Sequence, residues 1–273
     1  MEKELYLGLN LSGIKKDKSS LLVLEKYKDH NKVVLSNIED KFKNSKLNFY
    51  PDEILKKQIL SYKGVNQNIK AVGVNFPLFA PPCIGCRREC PGVQSCEVTE
   101  VKWLVREYKK ANKLSSKSIK DRKIPSPYSE RALDYYIANL LEEKFPLEPA
   151  FGSSRSSFYG RGQFLIRGLK GVKFIETFPK VSIWRLGLRY GLRKSVLRNF
   201  YRSEVTEDNR ALFLEKIEKD FFIYEDDKEN LIKNKGNFEA LLNALSLYFF
   251  FNKQGEDILP TVLKKGQRVA VPI

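Results

Sequence analysis

The sequence predicts an α/β protein with a mixed, five-stranded sheet flanked by helices and a helical C-terminal half. Three observations lead to this prediction. Three apolar segments near the N-terminus are separated by short polar stretches, a helix begins at Pro51, and a further apolar strand ends before Pro77. The second half of the chain carries its apolar residues mainly at the spacing of amphipathic helices.

The N-terminal strands are expected at residues 5–11, 20–27 and 32–38. The polar stretch 28–31 reads as a turn, so the three strands predict an antiparallel meander. Pro51 opens a helix that has Asp52 and Glu53 in its first turn. Because residues 69–76 form another buried strand, the predicted order is β-β-β-α-β.

The remaining chain is expected to be mainly helical, with a small-residue loop at 151–162, FGSSRSSFYGRG, and strands at 172–177 and 268–271. Helices are expected at 99–112, 129–144, 165–169, 181–188, 194–201, 204–219, 229–234 and 237–251. We interpret residues 1–273 as a single domain, in which 81–127 form a Cys-rich insert and a basic linker.

The chain contains 49 basic and 33 acidic residues, which gives a formal net charge of +16. Such an excess favours contact with phosphates, above all with nucleic acid, although a Lys-rich composition also arises from genome composition. Basic and aromatic residues mix around 155–167 and 185–202, which suits phosphate binding and base stacking, or arginines lying over a core. The candidate phosphate contacts are Arg155, Arg161, Arg167 and Lys170.

Several classes of protein are excluded. A hydrophobic content of 42% and an aromatic content of 12% exclude a wholly disordered chain. The longest apolar run, 245–251, is far shorter than the ~18 residues of a membrane helix, and the N-terminus lacks a signal peptide, so we expect a cytoplasmic protein without a membrane partner. The single histidine, His30, lies in a predicted turn, which disfavours a His-based catalytic triad.

All four cysteines fall in one short segment with the pattern Cys83-x2-Cys86-x3-Cys90-x5-Cys96. In a cytosolic protein such a cluster favours metal binding over disulfides. Four thiolates would form a closed, structural Zn²⁺ site, and zinc binding would fold a loop that has little core of its own. An iron–sulfur cluster is the alternative because Cys90-Pro91 is similar to the end of ferredoxin motifs, and unliganded or disulfide-linked cysteines also stay open.

Polar residues interrupt apolar segments at four places. Asn10 and Asn75 stand near the ends of two predicted strands, Glu176 lies within a third, and Asn237 and Glu239 stand near the start of a helix. If these segments meet, the residues form a polar pocket at one edge of the sheet. Asn residues near strand ends also satisfy backbone groups in turns, and Asn237 is also a plausible helix cap.

The order of elements and these anchors resemble predicted nucleases of the ribonuclease H-like superfamily, in particular the group called domain of unknown function 429. The resemblance spans residues 5–251 and rests on five short segments. They are Gly8-Leu9-Asn10, Val74-Asn75-Phe76-Pro77, Glu176-Thr177-Phe178-Pro179, Asn237-Phe238-Glu239-Ala240-Leu241 and the segment 127–134, in which Asp134 follows Arg131.

The resemblance implies phosphodiester hydrolysis of DNA or RNA, in which acids on two strands and a late helix hold two Mg²⁺ or Mn²⁺ ions. It assigns catalytic positions to Asn10, Asn75, Glu176, Asn237 and Glu239. Mg²⁺ prefers anionic oxygen ligands, and three of these five residues are neutral amides. The resemblance therefore predicts a site that binds Mg²⁺ poorly.

Three interpretations stay open. The chain is a naturally degenerate nuclease that binds nucleic acid without cutting it, or an engineered inactive form, or a nuclease whose acids lie at other positions. The alternative from another class is a non-enzymatic interaction protein that docks a partner through its zinc-binding knob. Salt dependence of nucleic-acid binding separates these classes, because counterion release makes such binding weaken steeply as salt rises.

Overall fold

The protein is described here from a computed structural model. The structure describes residues 2–13, 18–27, 33–40, 42, 50–64, 67–114, 125–141, 150–151, 155–202, 206–257 and 269–272. For residues 67, 112–114, 155, 201–202 and 255–257 it describes the backbone alone.

The chain divides into two compact units. The first unit contains residues 1–76, 161–258 and 268–273, and the second contains 77–160 and 259–267. The last of these segments lies outside the described residues. The predicted Cys-rich insert and linker, 81–127, fall within the second unit, which extends further to residue 160.

The first unit is built on a mixed sheet of eight strands. Their bounds are β1 Lys3–Asn10, β2 Ser20–Tyr27, β3 Val33–Asp40, β4 Gln67–Val74, β5 Phe174–Thr177, β6 Phe221–Phe222, β7 Gly255–Asp257 and β8 Val269–Pro272. In the sheet they stand in the order β6-β3-β2-β1-β4-β5-β8-β7. The α/β class and the mixed sheet predicted from the sequence are thus present.

The strand directions change in the middle of the sheet. Strands β1, β2 and β3 form an antiparallel meander, in which Asn10 stands opposite Ser20 and Ser20 opposite Asp40. Strand β4 runs parallel to β1, with Val74 beside Leu9, and β5 runs parallel to β4. The carboxyl ends of β1, β4 and β5 therefore meet at one edge, which we call the carboxyl edge.

Nine helices are found in the described parts of the chain. Their bounds are α1 Pro51–Ser61, α2 Thr99–Leu114, α3 Ala132–Leu140, α4 Arg155–Gly168, α5 Pro179–Arg189, α6 Lys194–Arg202, α7 Glu207–Ile217, α8 Glu225–Lys233 and α9 Lys235–Phe251. Helices α2 and α3 belong to the second unit, and the boundary between the units falls within α4. No helix in these parts has the length and apolar character that crossing a bilayer requires.

Helix α9 packs across the middle of the sheet because two strands carry glycine where the helix approaches. A Cβ atom at Gly8 would lie 1.9 Å from the Ala240 carbonyl oxygen, and one at Gly73 would lie 2.7 Å from that of Asn243. Tyr6, on the same face as Gly8, meets the Tyr248 ring edge-on at 5.6 Å between centroids. This close packing fixes the N-terminus of α9 beside the end of β1.

The second unit has a smaller core between α2 and α3. Tyr108 of α2 is fully buried, and its ring meets that of Tyr135 in α3 edge-on at 5.3 Å. Leu104 and Leu133 are buried in the same helices. Hydrophobic burial on one face of each helix holds this pair together.

Two expectations about the fold are wrong. The sheet has eight strands instead of five, because β6 and β7, which were not expected, and β8, which matches the short strand expected at 268–271, extend its two edges. Residues 155–162, expected as part of a loop, belong to helix α4. A Cβ atom at Gly162 would lie 2.1 Å from the Phe76 ring. Glycine at this helical position therefore allows α4 to pack closely against Phe76.

Candidate functional site

The carboxyl edge brings Asn10 and Asn75 together. Asn10 is the last residue of β1, and Asn75 directly follows β4, so the parallel register places the two side by side. Asn75 Nδ2 donates a hydrogen bond to Asn10 Oδ1 at 2.5 Å, and the Leu11 backbone N–H donates to Asn75 Oδ1 at 3.4 Å. Both amides are thus engaged within the protein.

The N-terminus of α9 closes over Asn10. Asn10 Nδ2 donates to the Gly236 carbonyl oxygen at 3.2 Å, and a Cβ atom at Gly236 would lie 3.1 Å from Ser20 Oγ. Ser20 is fully buried beside Asn10, and its hydroxyl has no hydrogen-bond partner within the described residues. Asn10, Gly236 and Ser20 therefore form a tight, neutral polar cluster.

Asp40 extends this cluster to the third strand. Because Asn10, Ser20 and Asp40 share one row of the antiparallel meander, their side chains face the same side of the sheet. Asp40 Oδ2 accepts hydrogen bonds from Asn234 Nδ2 at 3.1 Å and from Asn237 Nδ2 at 3.2 Å. Asp40 thus ties the start of α9 to the end of β3.

Asn234, rather than Asn237, is the N-cap of α9. Its Oδ1 accepts from the backbone N–H groups of Gly236 at 2.9 Å and Asn237 at 3.4 Å. Asn237 is fully buried and donates to Asn230 as well as to Asp40, while its own Oδ1 has no partner among the described residues. Asn237 therefore joins α9 to α8 and β3.

A buried ion pair lies beside the end of β1. Arg161 of α4 contacts Asp52 of α1, with Nε 2.7 Å and Nη2 2.6 Å from Asp52 Oδ1. Its Nη1 donates to the Ser12 carbonyl oxygen at 2.5 Å and to Ser19 Oγ at 3.1 Å. Only 6% of Arg161 is exposed, so this guanidinium binds protein oxygens and is not presented to a phosphate on the surface.

The two glutamates assigned by the resemblance do not join Asn10. The Thr177 hydroxyl lies 2.7 Å from Asn243 Oδ1 of α9, so the neighbouring Glu176, which is 2% exposed, points to the opposite face of the sheet. Glu239 lies one residue before Ala240, which packs on Gly8, and its charge acts on Arg210 of α7. Asn10 and Asn75 converge, whereas Glu176 and Glu239 lie elsewhere.

Asp134 belongs to the second unit, where its carboxylate binds Arg131. Nη2 of Arg131 lies 2.6 Å from Asp134 Oδ1, and Nε lies 3.1 Å from Oδ2. Both side chains are buried. The three-residue spacing of Arg131 and Asp134 therefore reflects a salt bridge at the start of α3.

The four predicted phosphate contacts differ in exposure. The side chain of Arg155 lies outside the described residues, and Arg161 is buried. Arg167 and Lys170 are exposed at and just beyond the end of α4. Arg161, by contrast, approaches Ser12 at the carboxyl edge, so Arg167 lies about 9 Å further along the helix.

Sequence reasoning missed the basic residues that do stand near the carboxyl edge. Lys18 is exposed just before β2, and Lys235 is exposed in the first turn of α9. A second exposed group, Arg193 and Lys194, stands at the start of α6. The predicted strand boundary and helix start could have indicated both residues, because Lys18 lies two residues before the predicted strand 20–27 and Lys235 two residues before Asn237.

The cysteine loop is described in full, and none of its four cysteines forms a disulfide. The Cys86 backbone N–H donates to the Cys83 carbonyl oxygen at 3.3 Å, which closes a turn between them. Burial raises the pKa of the Cys83 thiol, and the negative charges of the other three thiolates raise it further. The other three cysteines therefore lie close enough to influence the Cys83 thiol, although no three of the described thiols are grouped as metal ligands.

The residues at the carboxyl edge do not fit a pair of divalent ions. Asn10, Asn75 and Ser20 offer neutral oxygens, while the carboxylates of Asp40 and Asp52 are engaged by amides and by Arg161. Mg²⁺ prefers anionic oxygens. Across the described residues, including the cysteine loop, no three His, Cys, Asp or Glu side chains are grouped so as to hold a metal ion.

No protein family, curated protein or solved structure matches this chain. The functional interpretation of the carboxyl edge therefore depends on its own geometry.

Proposed function

We propose that this protein binds nucleic acid through the phosphate backbone, on a ribonuclease H-like framework that has lost its metal site, and does not hydrolyse it. The observation that carries the proposal is the hydrogen bond between Asn75 and Asn10 at the carboxyl ends of two adjacent parallel strands. The resemblance places metal-binding acids at these two positions. Amides there keep the geometry of a paired site and remove its charge.

The sheet supports the framework part of the proposal. The resemblance to the ribonuclease H-like superfamily rests partly on the order β-β-β-α-β, and the first unit has this order, with an antiparallel meander joined to a parallel β4. Helix α9 then returns to place its first turn against Asn10. The segments that the resemblance singles out on β1, β4 and α9 are thus neighbours.

Charge supports the nucleic-acid part. The net charge of +16 attracts polyanions, and the exposed Lys18 and Lys235 flank the carboxyl edge. Helices α1, α5 and α9 start close to the carboxyl ends of β1, β4 and β5, and helix N-termini favour phosphate oxygens. The internal hydrogen bonds of Asn10, Asn75 and Arg161 leave phosphate contacts to lysines at the rim.

Binding is tested by fluorescence anisotropy with labelled 20-nucleotide single-stranded DNA, duplex DNA, single-stranded RNA and an RNA–DNA hybrid. We expect affinity to fall steeply between 50 and 200 mM salt, by about tenfold or more, because each neutralised phosphate releases counterions. The variant Lys18→Glu/Lys235→Glu should bind about tenfold more weakly. Its matched control, Arg193→Glu/Lys194→Glu, makes the same charge change on α6 and should have a smaller effect.

Absence of binding at low salt to all four probes would overturn the proposal and favour the interaction protein with a cysteine knob. A control variant that weakens binding more than Lys18→Glu/Lys235→Glu would move the interface to α6 and contradict the assignment of the carboxyl edge.

Loss of the metal site is tested with Mn²⁺. We expect the natural chain to leave plasmid DNA and RNA uncut and its Tm to be unaffected by 1 mM Mn²⁺. The variant Asn10→Asp/Asn75→Asp places two carboxylates side by side, so Mn²⁺ should raise its Tm, since a ligand that binds only the folded state stabilises it. Cleavage by the natural chain, or an equal response of both proteins to Mn²⁺, would contradict the proposal.

We also propose that Cys83, Cys86, Cys90 and Cys96 hold a structural Zn²⁺ ion. The support is their spacing and the turn that joins Cys83 to Cys86. Because no three of the described thiols are grouped as metal ligands, zinc binding would have to draw them together. Elemental analysis of purified protein should find about one zinc per chain. Iron would favour the iron–sulfur alternative, and the absence of both metals would refute a metal site.

A further inference from the structure

A cavity of about 710 Å³ opens within the second unit. Its walls come from the segment after β4, from the cysteine loop, from helices α2 and α3 and from the first turns of α4. The side chains that decide its chemistry are Phe79, Arg87, Arg88, Trp103, Arg131 and Tyr159. The volume lies within the roughly 300–1,000 Å³ of small-molecule sites, so the cavity is large enough for a drug-sized ligand.

The charge of the cavity wall favours an anion. Three arginines line it against a single carboxylate, that of Glu100. Arg131 is buried and held by Asp134, while its Nη1 donates to the Phe79 carbonyl oxygen at 3.4 Å, so its position in the wall is fixed. Arg87 and Arg88 are exposed in the cysteine loop. Guanidinium groups match phosphate oxygens with paired hydrogen bonds.

The rest of the wall favours a flat, largely apolar group. Phe79, Trp103 and Tyr159 contribute aromatic rings, and Pro81 and Pro82 add apolar surface. Trp103 is 5% exposed, and its Nε1–H has no acceptor among the described residues. A buried donor without a partner is unfavourable, and a ligand that brings an acceptor atom relieves this cost. This second observation is independent of the charge.

We infer that the cavity binds a nucleotide, with its base against the aromatic wall and its phosphate on Arg87 and Arg88. A nucleotide has the three features that complement this wall. Its planar ring system suits the aromatic side chains, acceptor atoms on that ring suit the Trp103 N–H, and its phosphate suits the arginines. The ligand is either a free nucleotide or the 5′-phosphorylated terminal nucleotide of a strand. This inference does not depend on the function proposed for the carboxyl edge, since the cavity lies wholly in the second unit.

Tryptophan fluorescence of the full chain tests the inference. The chain has two tryptophans, so Trp184→Phe leaves Trp103 as the only one. This protein is titrated at fixed ionic strength with AMP, adenosine, inorganic phosphate and a 5′-phosphorylated hexanucleotide. We expect saturable quenching by AMP, by the hexanucleotide or by both, with a Kd at least tenfold lower than for adenosine or phosphate. Equilibrium dialysis of the natural chain with radiolabelled AMP and the labelled hexanucleotide repeats the measurement without a substitution.

The variant Arg87→Gln/Arg88→Gln should bind the phosphorylated ligand at least tenfold more weakly and adenosine equally well. Its matched control in the first unit, Arg167→Gln/Lys170→Gln, should leave both affinities unchanged. Tight binding of AMP identifies a free nucleotide, and tight binding of the hexanucleotide alone identifies a strand end. Three results would each overturn the inference. They are the absence of any saturable response, an affinity for adenosine or phosphate equal to that for AMP or the hexanucleotide, and an equal loss of affinity in the control variant.

Discussion

The carboxyl edge of the first unit and the cavity of the second unit use similar residues in opposite ways. At the carboxyl edge, Asn10, Asn75 and the Arg161–Asp52 pair are joined by hydrogen bonds within the protein. In the cavity wall, Arg87 and Arg88 face solvent, and the Trp103 indole has no acceptor among the described residues. Polar groups that engage one another stabilise a fold, whereas polar groups without protein partners in a cavity wall are available to a ligand.

Each region also contains one buried Arg–Asp pair. Arg161 and Asp52 are 109 residues apart and join α4 to α1 and to the end of β1. Arg131 and Asp134 are three residues apart within one helical turn, and Arg131 lines the cavity. The first pair therefore holds distant segments together, and the second orients a side chain locally.

Removing Asp52 should have the largest effect. Asp52→Ala leaves the buried Arg161 without its carboxylate, so we expect the free energy of unfolding to fall by about 3–5 kcal/mol in urea titrations at pH 7. Asp134→Ala is the matched variant in the second unit. It should cost only about 1–2 kcal/mol, because water in the cavity can replace the lost carboxylate at Arg131. Equal losses would break the contrast between the two pairs.

Gly8→Ala should have the next largest effect. The new Cβ atom would lie 1.9 Å from the Ala240 carbonyl oxygen and 2.7 Å from the Ala244 nitrogen, so α9 has to move away from β1. We expect a loss of about 3 kcal/mol in thermal or urea unfolding.

Gly13→Ala is the control, since no atom of the described residues lies within 4 Å of the position that its Cβ atom would take. It should change stability by less than about 0.5 kcal/mol. A Gly8→Ala protein as stable as this control would show that α9 does not seat its N-terminus on β1 as described.

Because Asn75 donates and Asn10 accepts in their hydrogen bond, substitutions at the two positions should change the free energy of unfolding by different, smaller amounts. Asn75→Asp replaces the donor to Asn10 Oδ1 by an oxygen, so we expect a loss of about 2 kcal/mol at pH 7. Asn10→Asp also turns an oxygen toward an acceptor, the Gly236 carbonyl, but keeps the short bond from Asn75 Nδ2, whereas Asn75→Asp keeps only the 3.4 Å bond from the Leu11 N–H. Asn10→Asp should therefore cost only about 1 kcal/mol.

The pH dependence separates the two variants further. The new carboxyl group in Asn75→Asp faces an oxygen when ionised, so the folded state should raise its pKa above that of the unfolded chain. The stability of this variant relative to the natural chain should therefore recover as the pH falls from 7 to 4. A variant whose stability loss is constant over this range would contradict the direction of the hydrogen bond.

Much of the first unit was predictable because its signals are local. Strand β2 was predicted with the bounds that the structure has, and the start of α1 followed from Pro51 and its acidic first turn. Asn10 and Asn75 could be singled out because each is a polar residue near the end of an apolar strand. The parallel register that joins them depends on chain segments 65 residues apart.

Other features were not predictable from local signals. The glycines of 151–162 indicated a loop, whereas Gly162 meets Phe76 in a contact that only the folded chain defines. Glu176 is conspicuous in sequence, but the face it occupies depends on which side of β5 meets α9. The position of Glu239 could have been predicted. The small residues Gly236, Ala240 and Ala244 recur every four residues and mark the face of α9 that packs on the sheet, and Glu239 is not part of this series.

The smallest predicted effect concerns the reactivity of the cysteines of the second unit. Cys83 is half-buried and burial raises the pKa of its thiol, so less of it is ionised at pH 8 than at the ordinary pKa, whereas Cys86 and Cys90 are exposed to the reagent. In chelator-treated protein, iodoacetamide should therefore modify Cys83 about two- to fivefold more slowly than Cys86 and Cys90, as measured by peptide mass mapping.

Zinc should change this pattern. With Zn²⁺ bound, all four thiolates should be protected together from iodoacetamide. Faster modification of Cys83 than of Cys86 would contradict the burial described for the loop, and protection of only some cysteines by zinc would refute a four-thiolate site.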